Sequence, residues 1–215
     1  MDATFWHARW QQNELGFQLE AAHPLLQKWL AHVVSGKGPV LVPLCGKSPD
    51  IQYLANFSSV VGAELSPIAC RDFFIEQNRA FTQTQVGDFN CFQGDAITLW
   101  QGDFFELTPQ HTAGCSFVYD RAALIALPET MRQQYARKLQ QLLPGGSRIL
   151  LITVEYPQHE KQGPPFSVYR EELHTLFQTA DIEVLEKLNI TGKGFARRRF
   201  DTTTLFEVAY CITLP

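Results

Sequence analysis

Residues 39–50 read PVLVPLCGKSPD and residues 59–67 read SVVGAELSP. Each stretch passes from a short apolar run through a polar turn into a Ser-Pro pair. A serine N-cap followed by proline at the first helical position is a start signal for a helix. Val40-Leu41-Val42 and Ser59–Leu65 are therefore expected strands, each delivering the chain into a helix. In the first helix Ser48 or Asp50 is the cap, and Ile51, Leu54 and Ala55 form the inner face. The second runs to about Arg79, with Ala69, Cys70, Phe73 and Phe74 facing inward.

The same alternation extends in both directions. Pro24–Val33 reads as a helix with Leu25, Leu26, Trp29, Leu30 and Val33 on one face, ended by Gly36 and Gly38. Ile97–Trp100, Phe117–Tyr119 and Arg148–Val154 are further apolar strands, and Pro128–Leu142 is a helix stopped by LPGG. Residues 1–23 and 80–92 show no clean period. After the loop HEKQGPPFSVY come a helix over Arg170–Gln178 and two strands, Glu183–Ile190 and Thr204–Thr213, read as an antiparallel pair at the sheet edge. Apolar strands alternating with helices imply a parallel sheet covered on both faces. The expected fold is α/β: a doubly wound, Rossmann-like, mostly parallel seven-stranded sheet with an antiparallel C-terminal strand. No linker interrupts it, so residues 1–215 are expected to form a single domain, with residues 1–35 as an N-terminal cap.

The 215 residues are 45% hydrophobic and 19% charged, with a net charge of −4. Disordered and collagenous classes do not fit, and the missing basic excess argues against a nucleic-acid partner. Cys45, Cys70, Cys91, Cys115 and Cys211 are isolated and odd in number, which disfavours a disulfide framework or zinc knuckle and points to a reducing compartment. The histidines form no H-x-x-x-H pair, so no metal site is expected. MDATFWHARW lacks the apolar core of a signal peptide, and no apolar run approaches the roughly 20 residues of a membrane span. The expectation is a soluble, cytoplasmic protein. Aromatic residues make up 12% of the chain, enough both to fill a core and to line a pocket for a flat ligand.

In an open doubly wound sheet, ligands bind beyond the carboxyl ends of the strands. Those ends carry PLCGKS, Glu64, Gly102-Asp103-Phe104 and Asp120-Arg121. Glu64 stands 18 residues after Gly46, near the roughly 20-residue spacing at which an acid meets ribose hydroxyls. A carboxylate supplies two acceptors for two adjacent hydroxyl donors; the alternative is a solvated carboxylate at a strand end. PLCGKS has a single glycine, so neither a dinucleotide fingerprint nor a Walker A loop is present. A nucleoside ligand without a phosphate chain fits better, S-adenosylmethionine foremost. Asp103 can accept from an exocyclic amine, with Phe104 beside an adenine face. Asp95 in FQGD is the competing copy, disfavoured because it precedes a strand, and either aspartate can be a turn residue. Arg121 can pair with a carboxylate or thiolate, or with its neighbour Asp120. Arg197, Arg198 and Arg199 read as a solvated turn. Cys45 reads as a small buried thiol rather than a nucleophile, since no His or Asp pairs with it locally.

With PLCGKS, VVGAELS, WQGDFFEL, VYDRAAL and QGPPF in this order, the chain resembles the thiopurine S-methyltransferase family over essentially its whole length. FWHARWQQNELGFQ and LFEVAYCITL extend the resemblance to both ends. It implies a class I methyltransferase fold that binds S-adenosylmethionine. Cofactor contacts carry over to Trp10, Leu44, Glu64 and Arg121, with Asp103-Phe104 on the adenine side. The resemblance also implies an acceptor pocket shaped by Phe17 and the double-proline loop, Pro164-Pro165, with Arg197 the choice for a late-loop arginine, and a monomeric protein. The family often reads D-R-G-A-L. Here Ala122 replaces that glycine, and the alanine is expected to tolerate an ordinary helical start.

The chemistry so implied is a direct in-line displacement, in which a thiolate takes the sulfonium methyl and leaves a thioether and S-adenosylhomocysteine. Acidic heterocyclic thiols ionise near neutral pH, so the protein need only position, exclude water and favour the thiolate. Arg121 does the last electrostatically, and Trp10 is placed for a cation–π contact with the cofactor. Trp6, Trp10, Phe17, Phe104 and Phe166 are the rings expected around a flat small-molecule thiol or chalcogen acceptor. Phe73, Phe74, Phe117, Phe177 and Phe206 are expected in the core. The alternatives are a methyltransferase for inorganic selenium or tellurium compounds or halide on the same scaffold, and a non-catalytic S-adenosylmethionine-binding module.

Overall fold

In chain order the strands are β1 (Val40–Val42), β2 (Val60–Glu64), β3 (Thr82–Val86), β4 (Phe89–Gly94), β5 (Ile97–Gln101), β6 (Phe117–Arg121), β7 (Arg148–Glu155), β8 (Asp181–Asn189) and β9 (Phe206–Thr213). The helices are α1 (Ala3–Gln11), α2 (Pro24–Val33), α3 (Pro49–Leu54), α4 (Pro67–Glu76), α5 (Glu129–Leu142) and α6 (Arg170–Leu176). These come from a computed structural model that describes residues 3–34, 38–193, 195–196 and 199–215. Gly36, expected at the end of α2, lies outside the described residues.

The strands form one sheet in the order β3-β4-β5-β2-β1-β6-β7-β9-β8. β5, β2, β1, β6 and β7 are parallel, while β9 runs antiparallel to both β7 and β8. The five central strands are apolar on both sides because both faces are covered. Leu41, Val118, Ile149 and Leu151 join one core beneath α5 and α6. Val40, Val42, Phe117, Tyr119, Leu150 and Ile152 join the other, with Leu26 of α2, Ile51 of α3 and Phe73 of α4. Each large apolar side chain buried in this way stabilises the fold by about 1.5–3 kcal/mol.

Both Ser-Pro starts form as the sequence predicts. Ser48 Oγ accepts from Asp50 N–H at 3.2 Å, and Ser66 Oγ accepts from Ala69 N–H at 3.4 Å. The seven expected strands are present, but the sheet gains two more. Residues 82–94 fold into the β3–β4 hairpin, whose strands are antiparallel to each other, with β4 antiparallel to β5. β3 is TQTQV with every residue exposed, so it has no apolar alternation to betray it. The available signal was Gly87-Asp88, a two-residue hairpin turn between the strands, with Gly87 at φ +58°. α1 was also hidden from periodicity, because Trp10 is its one buried residue. α4 ends at Glu76, three residues short of Arg79, and Asn78 follows at φ +51°.

The end of β6 removes one alternative and corrects one expectation. Successive strand residues point to opposite faces, so Asp120 and Arg121 do not pair. Asp120 turns into the core, where Oδ1 accepts from Ala123 and Leu124 N–H and Oδ2 accepts from the Tyr135 hydroxyl at 2.6 Å. Ala122 is not an ordinary helical start either: it sits at φ +72°, where a Cβ is strained and glycine is free.

Ala122→Gly is therefore expected to stabilise the protein by up to about 1 kcal/mol, measured as a higher urea midpoint at unchanged slope. A second expectation concerns pH. Burial raises the Asp120 carboxyl to about 6 although three hydrogen bonds oppose the shift. The folded state thus favours the neutral form. Its contribution to stability is full below about pH 4 and is lost as pH rises through about 6. Asp120→Asn should flatten that part of the stability–pH profile relative to the parent protein.

Candidate functional site

The chain moves from β1 outward to β2 and β5 on one side, then crosses to β6 on the other. The order reverses between β1 and β6, and in such sheets a crevice opens at the carboxyl ends of those strands. A cleft lies there. PLCGKS leaves β1, Glu64 ends β2 and Arg121 ends β6, and all three line it. α1 and the segment after it close the top with Phe5, Trp6, Trp10 and Phe17, and Pro164, Pro165 and Phe195 form the far wall.

Glu64 is buried and held by backbone. Its Oε2 accepts from Gly46 N–H at 2.8 Å and its Oε1 from Ser66 N–H at 2.7 Å. Burial pushes its carboxyl above the ordinary range, and these amides pull it back. Each oxygen retains a further acceptor position, so the carboxylate is oriented and still able to receive two hydroxyls. The loop that supplies Gly46 is tightly reversed. Leu44 is at φ +47° and Gly46 at φ +55°. A left-handed leucine is uncommon and strained. A Cβ on Gly46 would stand 3.2 Å from the Trp10 ring, so glycine lets the indole lie directly on the loop. Gln18 Nε2 donates to the Lys47 carbonyl at 2.6 Å and fastens the N-terminal segment to the same turn.

Arg121 reaches into the cleft from the opposite side. One guanidinium nitrogen donates to the Phe17 carbonyl at 3.1 Å, and the group stands 5.9 Å from the centre of the Phe195 ring. Its Nε is buried without a partner. The Trp6, Trp10 and Phe17 rings meet edge to face, with Phe17 at 6.0 Å from Trp6 and 5.9 Å from Trp10. Cys45 lines the floor, but burial and the Glu64 carboxylate raise its thiol well above the ordinary range. It is a packed thiol, not an activated nucleophile.

Trp10, Leu44, Glu64, Arg121, Phe17 and Pro165, six of the residues named from sequence, thus meet in one cleft, and Trp6 joins them. Asp103 stands at the correct end of the sheet, because Gly102 N–H donates to the Glu64 carbonyl at 2.9 Å. It is exposed, caps the 3-10 turn Phe104–Glu106 and lies outside the cleft lining. Asp95 is at the opposite end, in the turn before β5, 3.6 Å from Arg79. The Phe104 ring is committed to the core, 5.1 Å from Tyr135, rather than offered to an adenine. Phe166 packs against its own loop, where a Cβ on Gly163 would lie 2.7 Å from its ring, and under Arg132 of α5 at 5.9 Å, and it does not line the cleft. Arg197 lies outside the described residues. Phe5, Arg9 and Phe195 line the cleft without having been singled out. The signals were the FW pair at residues 5–6 and the ring beside the arginine run. Among the described residues, no group of three or more His, Cys, Asp or Glu could hold a metal ion, and no helix is long and apolar enough to cross a membrane.

A family model described as thiopurine S-methyltransferase matches residues 1–213. A relative so named from Pseudomonas fluorescens (strain Pf0-1) is 42% identical over 215 residues, covering 99% of each chain. Another from Vibrio parahaemolyticus is 47% identical over 179 residues, 82% of each. Among solved structures, an S-adenosylmethionine-dependent methyltransferase from Anabaena variabilis superposes with a TM-score of 0.68 at 15% identity, covering 99% of this chain and 95% of that one. A Burkholderia thailandensis 1,6-didemethyltoxoflavin-N1-methyltransferase with bound S-adenosylhomocysteine gives 0.62 at 13% identity, covering 99% and 87%. At such identities these two establish the fold alone.

Removing the Glu64 carboxylate strips two buried amides of their acceptor. Glu64→Ala is expected to weaken S-adenosylmethionine binding by about 1.5–3 kcal/mol, read by isothermal titration. Unchanged affinity would remove Glu64 from the site.

Proposed function

The chain belongs to the thiopurine S-methyltransferase family, and on that premise we propose that its cleft methylates aromatic and heterocyclic thiols, with Arg121 favouring the thiolate. The observation that carries this is that one cleft is lined by an amide-held carboxylate, Glu64, at the end of β2, a guanidinium, Arg121, at the end of β6, and a group of aromatic rings. The donor set fits S-adenosylmethionine. Glu64 has free acceptor positions for a ribose, Leu44 and Trp10 border the same space, and the orphaned Nε of Arg121 has a hydrogen bond to give. When bound, S-adenosylmethionine supplies an already activated methyl group on a sulfonium.

The protein's own task is therefore electrostatic and steric. Arg121 is permanently charged, and in a cleft walled by rings its field is weakly screened, so a thiolate is favoured over a thiol beside it. Pinning by the Phe17 carbonyl and the Phe195 ring holds the guanidinium ready, so little reorganisation accompanies the reaction. Phe5, Trp6, Phe17 and Phe195 exclude water and suit a planar acceptor. The rings suit a planar organic thiol better than a strongly hydrated inorganic selenium or tellurium oxyanion, whose cationic partners among the described lining residues are Arg9 and Arg121 alone.

In the same reading, residues 1–215 act as one methyltransferase domain, and residues 1–35 cap the cofactor site. The continuous sheet and the Gln18–Lys47 and Arg121–Phe17 contacts support this. We further read the protein as cytoplasmic, since the five cysteines are all free and buried, as suits a reducing compartment, and as a monomer on the family resemblance alone.

The deciding experiment is methyl transfer from labelled S-adenosylmethionine to a thiopurine, a simple aromatic thiol and selenite, side by side. Turnover on the two organic thiols is expected, and turnover confined to selenite would overturn the reading. Arg121→Ala should lower turnover by at least about ten-fold while changing cofactor affinity less. Unchanged turnover would sink the role given to Arg121.

A further inference from the structure

Tyr156, the first residue beyond β7, is completely buried, and it is braced through its backbone and its side chain. Its hydroxyl donates to the Pro165 carbonyl at 2.6 Å. Its N–H donates to Ser167 Oγ at 3.0 Å, and its carbonyl accepts from the Tyr169 hydroxyl at 2.9 Å. Its ring meets Phe200 edge-on at 5.0 Å. Phe200 in turn leans on Phe195 at 6.3 Å, and Phe195 lies beneath the Arg121 guanidinium. Pro165 and Phe195 are both cleft walls. One buried side chain thus supports both, through a hydrogen bond to the first and a relay of rings to the second. None of its hydrogen bonds or ring contacts involves Glu64, Gly46 or Trp10.

We propose that Tyr156 is a positioning residue that sets the gap between the double-proline wall and Phe195, and thereby selects methyl acceptors by size and shape. This rests on the reading of the cleft as a thiol-acceptor site. Widening the loop wall would break the Tyr156–Pro165 hydrogen bond and the neighbouring bond from Phe166 N–H to the Ile125 carbonyl at 2.6 Å, and would leave the phenol only the Lys161 carbonyl at 3.5 Å, so the wall resists an acceptor broader than the gap. Burial pushes the phenol above its ordinary range, so it remains a donor wherever a thiolate acceptor is available.

Tyr156→Phe keeps the ring and removes the hydroxyl alone. The acceptor KM is expected to rise about five-fold or more, the scale of one lost buried hydrogen bond, with kcat and S-adenosylmethionine affinity each within about two-fold. The ratio of kcat/KM between one-ring and two-ring thiols should shift as well. A merely structural tyrosine would move the melting temperature without moving that ratio. An unchanged acceptor KM and ratio would overturn the inference, and so would an equal loss of cofactor affinity. Gln158→Ala is the second variant. Gln158 Oε1 accepts from Ser167 N–H at 2.8 Å and its amide reaches the Lys161 carbonyl, bracing the same loop from its exposed side. It should shift the acceptor KM in the same direction, and it decides by the same criteria if Tyr156→Phe does not fold. A parent enzyme inert towards every aromatic thiol would overturn the proposed function and this inference with it. An active parent with unaltered variants would overturn this inference alone.

Discussion

Gly46 and Ser66 each give an amide proton to the Glu64 carboxylate, and the site is organised outward from that group. Two strands end there, and the carboxylate joins the turn after β1 to the start of α4. A buried carboxylate without partners would be costly. With two amides it is stable, and the amides fix its direction. The turn that presents Gly46 carries a left-handed leucine two residues before a left-handed glycine, so local strain is held by the surrounding contacts. Trp10 can then lie on the glycine, and the N-terminal segment acquires a seat over the cleft.

The second constraint is the strand alternation at β6. Because Asp120 and Arg121 are neighbours on a strand, one must face the core and the other the opposite side. Asp120 is used up by Ala123, Leu124 and Tyr135, which shapes the turn after β6. Arg121 is thereby left with no carboxylate partner next to it, and its charge is available to the cleft. Had the two paired, the guanidinium field in the cleft would have been largely cancelled.

The α/β class, the parallel centre and the antiparallel C-terminal strand were legible because paired faces and caps leave local marks. Ser48-Pro49 and Ser66-Pro67 place two helix starts, and uniformly apolar strands announce a sheet covered on both sides. β3 was not legible: its five residues touch solvent, so nothing in its side chains records a buried face. α1 escaped for a related reason, since its rings serve a cleft rather than the core and only Trp10 among them is buried.

For the candidate site, position along the chain was enough to place Glu64 and Arg121 at the cleft, since strand ends and ligand crevices coincide in this architecture. Sequence could not assign the rings. Phe104 and Phe166 follow the same local motifs as genuine pocket residues, yet one packs on Tyr135 and the other against its own loop. Phe195 lies far along the chain and still stands beside Arg121. The amino-acid order by itself determined which elements form and which chemical groups end the strands, because those depend on neighbours within a few residues. Which rings line the cleft, which acid faces the core and which backbone turns left-handed were decided by tertiary packing. Those outcomes depend on contacts between segments that are distant in the chain.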